Sequence, residues 1–483
     1  MTSSKSFNKG IIWTLVERFG VQGTSFLANI VLTRLLQPSE FGLIGMIAVL
    51  MSIGNALIDS GLTSSLIRTK NPDQTDYSTV FFINLFGSFL VYGAIFLLAP
   101  LISGFYGQPT LVNIIRVYSL GFIVNSFTSI QQARLTKDLN FKIQMQIRIP
   151  STVISGIVGI YLASNGWGVW SLVYMYLTNT LLASIQFWIY SKWTPTLELD
   201  LNRFINHFSY GYKLTISALL NSIFSNLYIV VIGKIYSPVS LGFYTRAMML
   251  QQQPVQNFSS ALNKVTFPHF ASIQEDVIAL KAAYKKIMQQ VVFFIAPIMA
   301  IAMVLAEPIM VFLFTDKWLP AVPYFQLMCL MGVIYPLQSY NLNILKVFGR
   351  SDLFLRLEVL KKSLAALMLL VTYRYGISAI IIGQVINSYI SFLINSYYSG
   401  KFIKFSTWEQ IKNIFPIFLI SATTGAIVYV FILMIAHDQP LWFRLIWSLF
   451  FGAFLYIFLM HFFRISVYIE MAYFLKRKFK IKL

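Results

Sequence analysis

A chain of 483 residues that is 57% hydrophobic and 11% charged lacks the roughly 25% of charged residues that a soluble domain carries, so a soluble fold is excluded. Its net charge of +20 would suit nucleic acid, but the basic residues are scattered over many short loops, which argues against that partner. Segments of roughly 20 apolar residues recur from Ile11 to Phe463, each long enough to cross a hydrocarbon core of about 30 Å. A backbone in lipid must satisfy its own hydrogen bonds, so these segments are helices, and the expected fold class is an all-α polytopic membrane protein.

Fourteen spans are predicted, the first six at 10–34, 40–66, 77–104, 111–132, 146–165 and 168–191. Lys5 and Lys9 precede the first span, but Glu17 and Arg18 interrupt its apolar run and no small-x-small site follows, so no cleavable signal is expected. In the first span Thr14, Arg18, Gln22, Ser25 and Asn29 recur at steps of 4, 4, 3 and 4, which is one side of a helix. Glu17 points about 100° away from Arg18. Asp59 is the acid of the second span.

The next six spans are predicted at 211–233, 240–266, 285–306, 320–348, 354–375 and 377–400. The second of these carries Arg246, Gln253, Asn257, Ser260 and Lys264 on one face, at steps of 7, 4, 3 and 4. Between them, Phe267 to Gln290 has an apolar stripe (Ile273, Val277, Leu280, Tyr284, Ile287) and reads as an amphipathic helix on the membrane surface. Cys329, the only cysteine, lies in an apolar span and says little about redox compartment. Two further spans, 413–436 and 443–464, precede a basic tail, Lys476-Arg477-Lys478-Phe479-Lys480, suited to anionic head groups.

Charge fixes the orientation. With both termini on one side, that side holds 29 of the 37 Lys and Arg residues and the other side 6, with Arg18 and Arg246 inside spans. Basic loops stay in the cytoplasm, so both termini are expected there.

The chain repeats itself at an offset of 200 residues. Arg34, Pro38 and Gly42 align with Lys234, Pro238 and Gly242, each set at the turn between the first two spans of a half. Six spans separate the copies, so the halves share one orientation, as in transporters built from parallel repeats. The expected organisation is a six-helix lobe over 1–200, a second over 201–400, and two additional helices with the basic tail over 401–483.

The stretch Arg34-Leu35-Leu36-Gln37-Pro38-Ser39-Glu40-Phe41-Gly42-Leu43 resembles the signature of polysaccharide biosynthesis exporters, flippases of lipid-linked oligosaccharides. Leu241-Gly242-Phe243-Tyr244-Thr245-Arg246-Ala247 and Lys317-Trp318-Leu319-Pro320-Ala321-Val322-Pro323 are similar to the same family, closest to its colanic-acid-exporter branch. The resemblance covers nearly the whole chain. It implies the multidrug/oligosaccharidyl-lipid/polysaccharide fold, a V of two six-helix lobes opening alternately to either side. It also implies a polyprenyl-pyrophosphate-linked sugar repeat unit as substrate, for capsule, exopolysaccharide or O-antigen assembly at the cytoplasmic membrane.

Moving an anionic pyrophosphate through hydrocarbon calls for a polar, cationic cavity, and arginine pairs with phosphate oxygens in a fork. The candidate substrate-binding residues are Arg18, Gln22, Asn29, Arg246, Gln253, Asn257 and Lys264. The competing reading of both stripes is hydrogen bonding between helices. Asp59 and Glu17 are candidates for coupling to a proton or sodium ion, or for structural salt bridges. No Walker loop, zinc motif or catalytic triad is present, so no cofactor, metal or enzymatic activity is expected. A small-molecule multidrug antiporter of the same superfamily is the alternative transporter; a membrane glycan polymerase or ligase, which needs a sizeable outer loop, is the alternative of another class. Membrane lipids are expected partners, a polysaccharide polymerase and glycosyltransferases are candidate ones, and one chain suffices to form the pathway as a monomer.

Overall fold

The computed structural model describes the backbone of residues 2–59, 61–436 and 439–479, and their side chains except at 2–11, 260–265, 436 and 474–479. Every described element is a helix, and the chain forms two compact units, Met1–Gly242 and Phe243–Leu483.

The first unit holds α1 (Thr2–Leu35), α2 (Pro38–Asp59), α3 (Leu62–Arg68), α4 (Gln74–Tyr106), α5 (Leu111–Tyr118), α6 (Leu120–Lys137), α7 (Phe141–Ser164), α8 (Val169–Ser191) and α9 (Leu201–Ile235). Chain breaks follow the local chemistry. Asp73 opens α4 with a reciprocal cap: its carboxylate accepts from the Asp76 amide at 2.9 Å, and the Asp76 carboxylate accepts from the Asp73 amide at 3.0 Å. Asp200 caps α9 by accepting from Asn202 N at 2.8 Å. α1 lies on α7, α7 on α8, and α2 on α9. Leu62, Leu66, Phe81, Ile130 and Trp193 form a buried cluster at one end. Trp193 Nε1 donates to Gln74 Oε1 at 2.6 Å and Gln131 Nε2 to the Trp193 carbonyl at 3.1 Å. The start of α4 and the chain just beyond α8 therefore meet at one level. The outward side of α4 exposes Phe86, Leu97 and Leu101, as a lipid-facing surface does.

The two turns aligned by the repeat meet within this unit. A Cβ placed on Gly42 would lie 1.8 Å from the Pro238 carbonyl oxygen, and one on Gly242 would lie 1.9 Å from the Pro38 carbonyl oxygen. Only glycine permits this reciprocal backbone approach.

α10 (Pro238–Ser272) leads into the second unit, which holds α11 (Val277–Val304), α12 (Ala306–Phe314), α13 (Val322–Val347), α14 (Ser351–Thr372), α15 (Ile377–Ile403), α16 (Thr407–Phe431), α17 (Leu441–Phe462) and α18 (Ser466–Phe479). Its interior is stitched by polar pairs: Tyr284 donates to Asn341 Oδ1 at 2.8 Å, Gln338 to Ser388 Oγ at 2.7 Å, and Gln384 to the Tyr244 hydroxyl at 2.8 Å.

Each predicted span falls on helix, with the second divided between α2 and α3 and the fourth between α5 and α6. Eleven helical segments are long and apolar enough to cross a membrane, and the protein is an all-α multi-pass membrane protein. α1, α10 and α14 are not among the eleven; α14 alone carries Asp352, Arg356, Glu358, Lys361 and Lys362. The surface helix expected over Phe267–Gln290 is corrected. α10 runs on to Ser272, Asp276 caps α11, and Leu280 and Tyr284 are buried inside the second unit rather than laid on lipid. The basic tail begins as α18, whose Glu470 pairs with Lys286 of α11 at 2.6 Å; the side chains of Lys476 to Lys480 lie outside the described residues.

Candidate functional site

In the first unit α1 presents two different faces. Glu17 turns toward α7 and pairs with Arg148 at 3.2 Å, while Gly20 and Ala28 sit against Ile149 and Gly156 of the same helix. The stripe of Arg18, Gln22, Ser25 and Asn29 lies roughly 110° round from that contact, at about 100° per residue. These side chains are half-buried. Asn29 Nδ2 donates back to the Ser25 carbonyl at 2.8 Å. Gln22 Oε1 is buried and has no hydrogen-bond partner among the described residues. Arg18 has no ion pair or hydrogen bond among the described residues, so its guanidinium charge is not neutralised by a neighbouring acid there.

In the second unit α10 buries Tyr244, Ala247, Gln251 and Val255. Arg246, Gln253 and Asn257 lie on the opposite side, roughly 150° round, and are half-buried. One guanidinium nitrogen of Arg246 is 3.4 Å from Met249 Sδ. The side chain of Lys264 lies outside the described residues.

The first unit also encloses a polar cavity of about 520 Å³ that the stripes do not account for. Its mouth is at Asn55, Asp59 and Ile67, which are exposed, and its floor at Asn84, Phe122 and Ser126, which are buried. Arg148 lines one wall, with Nη2 donating to Gln132 Oε1 at 2.8 Å. The spacing of Asn125, Ser129, Gln132 and Thr136, at steps of 4, 3 and 4, is the same one-face pattern that marks α1. That spacing is the signal by which the cavity could have been found. Asp59 is thus a cavity residue, while Glu17 is held in an ion pair.

The second unit carries an apolar groove of about 1010 Å³ between α11, α17 and α18, lined by residues such as Phe294, Pro297, Ile301, Leu449, Ala453 and Met471. Among the described residues no three His, Cys, Asp or Glu side chains cluster as metal ligands would.

Comparison with solved structures agrees on the all-helical multi-pass fold. The chain is similar to lipid II flippase MurJ in its inward closed conformation, with a TM-score of 0.75 at 15% identity, covering 94% of this chain and 99% of that one. It is similar to an inward-facing multidrug resistance MATE family transporter of the MOP superfamily, with a TM-score of 0.63 at 16% identity over 82% and 100% of the two chains. The model of the polysaccharide biosynthesis protein family matches residues 31–323, more than half of the chain, and the chain belongs to that family. Relatives include teichuronic acid biosynthesis protein TuaB of Bacillus subtilis (strain 168), 26% identical over 95% of both chains. Lipopolysaccharide biosynthesis protein WzxC of Escherichia coli (strain K12) is 24% identical over 73% of this chain and 72% of its own. Succinoglycan biosynthesis transport protein ExoT of Rhizobium meliloti (strain 1021) is 24% identical over 70% and 69%.

Proposed function

We propose that the chain is a flippase of polyprenyl-pyrophosphate-linked oligosaccharide repeat units, working by alternating access in the cytoplasmic membrane, with both termini in the cytoplasm. The observation that carries the reading is Arg18: a permanent cation, half-buried on the polar stripe of α1 among amides and hydroxyls, on the side turned away from α7. A half-buried charge in a membrane protein is costly unless it is wet or paired, and a pyrophosphate group supplies the pair. Family membership and the relatives named for polysaccharide biosynthesis and transport support the class of cargo. The apolar groove beside α17 and α18 supports it too, since a polyprenyl tail needs a surface as apolar as lipid.

On this reading Arg18, Gln22 and Asn29, with Arg246, Gln253, Asn257 and Lys264, are the residues that bind the substrate, and the chain is organised as a lobe over 1–200, a lobe over 201–400 and two additional helices over 401–483. Glu17 is assigned to structure through its pair with Arg148, leaving Asp59 as the acid for a coupling proton or sodium ion. The chain carries no catalytic step of its own and works as a monomer, handing its product to a polymerase.

Arg18→Ala tests it. Surface polysaccharide should disappear at unchanged protein abundance. Arg18→Lys should rescue export only in part, because an ammonium is a point charge without the guanidinium fork. Normal export by the alanine variant at normal abundance would refute the assignment.

A further inference from the structure

The polar cavity inside the first unit holds three asparagines at one depth. Asn84 is ten residues into α4, and Asn125 and Asn179 are each twelve residues from the ends of α6 and α8. At a rise of about 1.5 Å per residue these are depths of about 15–18 Å, near the middle of a core of about 30 Å. The helix ends used for the count lie on one side, since Lys137 of α6 reaches the Leu66 carbonyl of α3 at 3.4 Å and Trp193 binds Gln74.

Each asparagine is oriented by its own amide nitrogen. Asn84 donates to Ser129 Oγ at 3.4 Å, Asn125 to the Tyr176 hydroxyl at 3.3 Å, and Asn179 to Ser155 Oγ at 3.1 Å. With one N–H of each amide turned to the walls, the carbonyl oxygens are left as acceptors. Asn84 is 1% exposed and its Oδ1 has no partner among the described residues; a buried acceptor left so is costly unless something enters to donate to it. Thr63 Oγ1, also on the cavity, is in the same position.

Charge narrows the ligand. Arg148 is tied to Glu17 and Gln132, so the inner cavity offers no free cation to a phosphate. The acid on its lining is Asp59, at the mouth, so a metal ion would meet no carboxylate at the level of the asparagines. What remains is amides and hydroxyls set in a wall that also holds the Phe122 and Phe187 rings and the aliphatic Ile58, Ala133 and Ala183, in a volume within the range of about 300–1,000 Å³ of small-molecule sites. That set complements a molecule with many hydroxyl donors and an apolar ring face. We infer that this cavity is a saccharide subsite, where neutral sugar of the glycan is bound by the carbonyl oxygens of Asn84, Asn125 and Asn179. The inference rests on the flippase reading and adds a place for the glycan apart from the arginine-bearing face.

The test is competition binding in native mass spectrometry, on the full chain in lipid nanodiscs. The two probes are polyprenyl pyrophosphate without sugar and the lipid-linked oligosaccharide extracted from cells that make the protein. The wild type should prefer the glycosylated lipid about tenfold or more, as two or so hydrogen bonds allow. Asn84→Ala/Asn179→Ala should lower oligosaccharide binding to the level of the sugarless lipid and leave sugarless binding unchanged. Unchanged sugarless binding also reports that the variant is folded. Asn125→Ala, which alters a separate wall contact, should give a smaller loss in the same direction. The subsite is refuted, and the flippase reading left standing, if the wild type binds both lipids equally or if the variants weaken both alike. It is refuted in favour of an ion site if the variants instead abolish a thermal stabilisation by sodium chloride over choline chloride. A wild type that binds neither lipid removes both readings.

Discussion

Gly42→Ala adds one methyl group where the two repeat turns touch. The new carbon would sit 1.8 Å from the Pro238 carbonyl oxygen, 2.5 Å from its carbon and 2.9 Å from its Cα. It falls about 1.6 Å short of the 3.4 Å at which ordinary contact begins. All three atoms are backbone, so no side chain can swing away and the whole turn before α10 must retreat. Overpacking of this kind costs about 1–3 kcal/mol, occasionally more. Replacing a helical glycine by alanine returns at most about 1 kcal/mol of helix propensity, so the sign is destabilising. Gly87→Ala is the control, because nothing lies within 4 Å of its added carbon, and it should be neutral or slightly stabilising. The assay is the fraction of monodisperse protein after a graded heat step, read by size-exclusion chromatography in detergent. Gly42→Ala and Gly242→Ala should each lose protein at lower temperature than wild type, and Gly87→Ala should not. The double variant should be non-additive, since both changes open the same contact. If Gly42→Ala survives as well as Gly87→Ala, the turns do not meet as described.

Three other outcomes are expected. Reporter fusions after Asn8 and at Leu483 should both read as cytoplasmic; an extracytoplasmic signal at either end would break the orientation drawn from the 29-to-6 distribution of Lys and Arg. Hydrogen bonding from Arg203, then from the Asp76 amide, holds the Asp73 carboxyl down at about 2. Its folded value lies below the unfolded one of about 3.9, so the stability it contributes is present above that pH and is lost as pH falls through about 2. Asp73→Asn should flatten the stability profile over that interval, and an unchanged profile would refute the contribution of the Asp73 carboxylate to stability. Cysteines at Gln22 and Gln253, in a Cys329→Ser background, should react with a water-soluble thiol reagent and change their labelling when lipid-linked substrate accumulates. Sites that never react would make the stripes helix contacts rather than cavity walls.

The span positions were legible because hydrophobic length is a direct requirement of the bilayer, and the turns because Gln37-Pro38-Ser39 and Ser237-Pro238 cannot continue a helix easily. The importance of Gly42 and Gly242 was visible as a coincidence of the repeat, but its cause was not, since a backbone-to-backbone approach leaves no mark in hydropathy. The stretch from Phe267 to Gln290 misled for a physical reason. An amphipathic stripe has the same period whether it faces lipid head groups or a protein interior, and Leu280 and Tyr284 face the interior. The cavity asparagines escaped notice because they are uncharged. Charge drew attention to Arg18, whereas Asn125, Ser129, Gln132 and Thr136 obey the same spacing without it.

The neighbours Glu17 and Arg18 show how one step in sequence separates structure from chemistry. A carboxylate and a guanidinium side by side would cancel if both faced one way. The helical advance of about 100° instead sends Glu17 to Arg148 and leaves Arg18 on the polar face. The pair formed by Glu17 has a second effect, because it holds Arg148 at the cavity wall with its charge already answered. The asparagine cavity is thereby kept close to neutral while the face of α1 stays cationic. A lipid-linked sugar combines an anionic pyrophosphate with a hydroxyl-rich glycan, and a single cationic pocket would select the first while gaining little from the second. On the proposed reading, two sites of different charge, set apart by one ion pair, let the glycan contribute to binding on its own terms. The same reading makes the sugar, as well as the phosphate, a means of discriminating the correct carrier from the bare lipid.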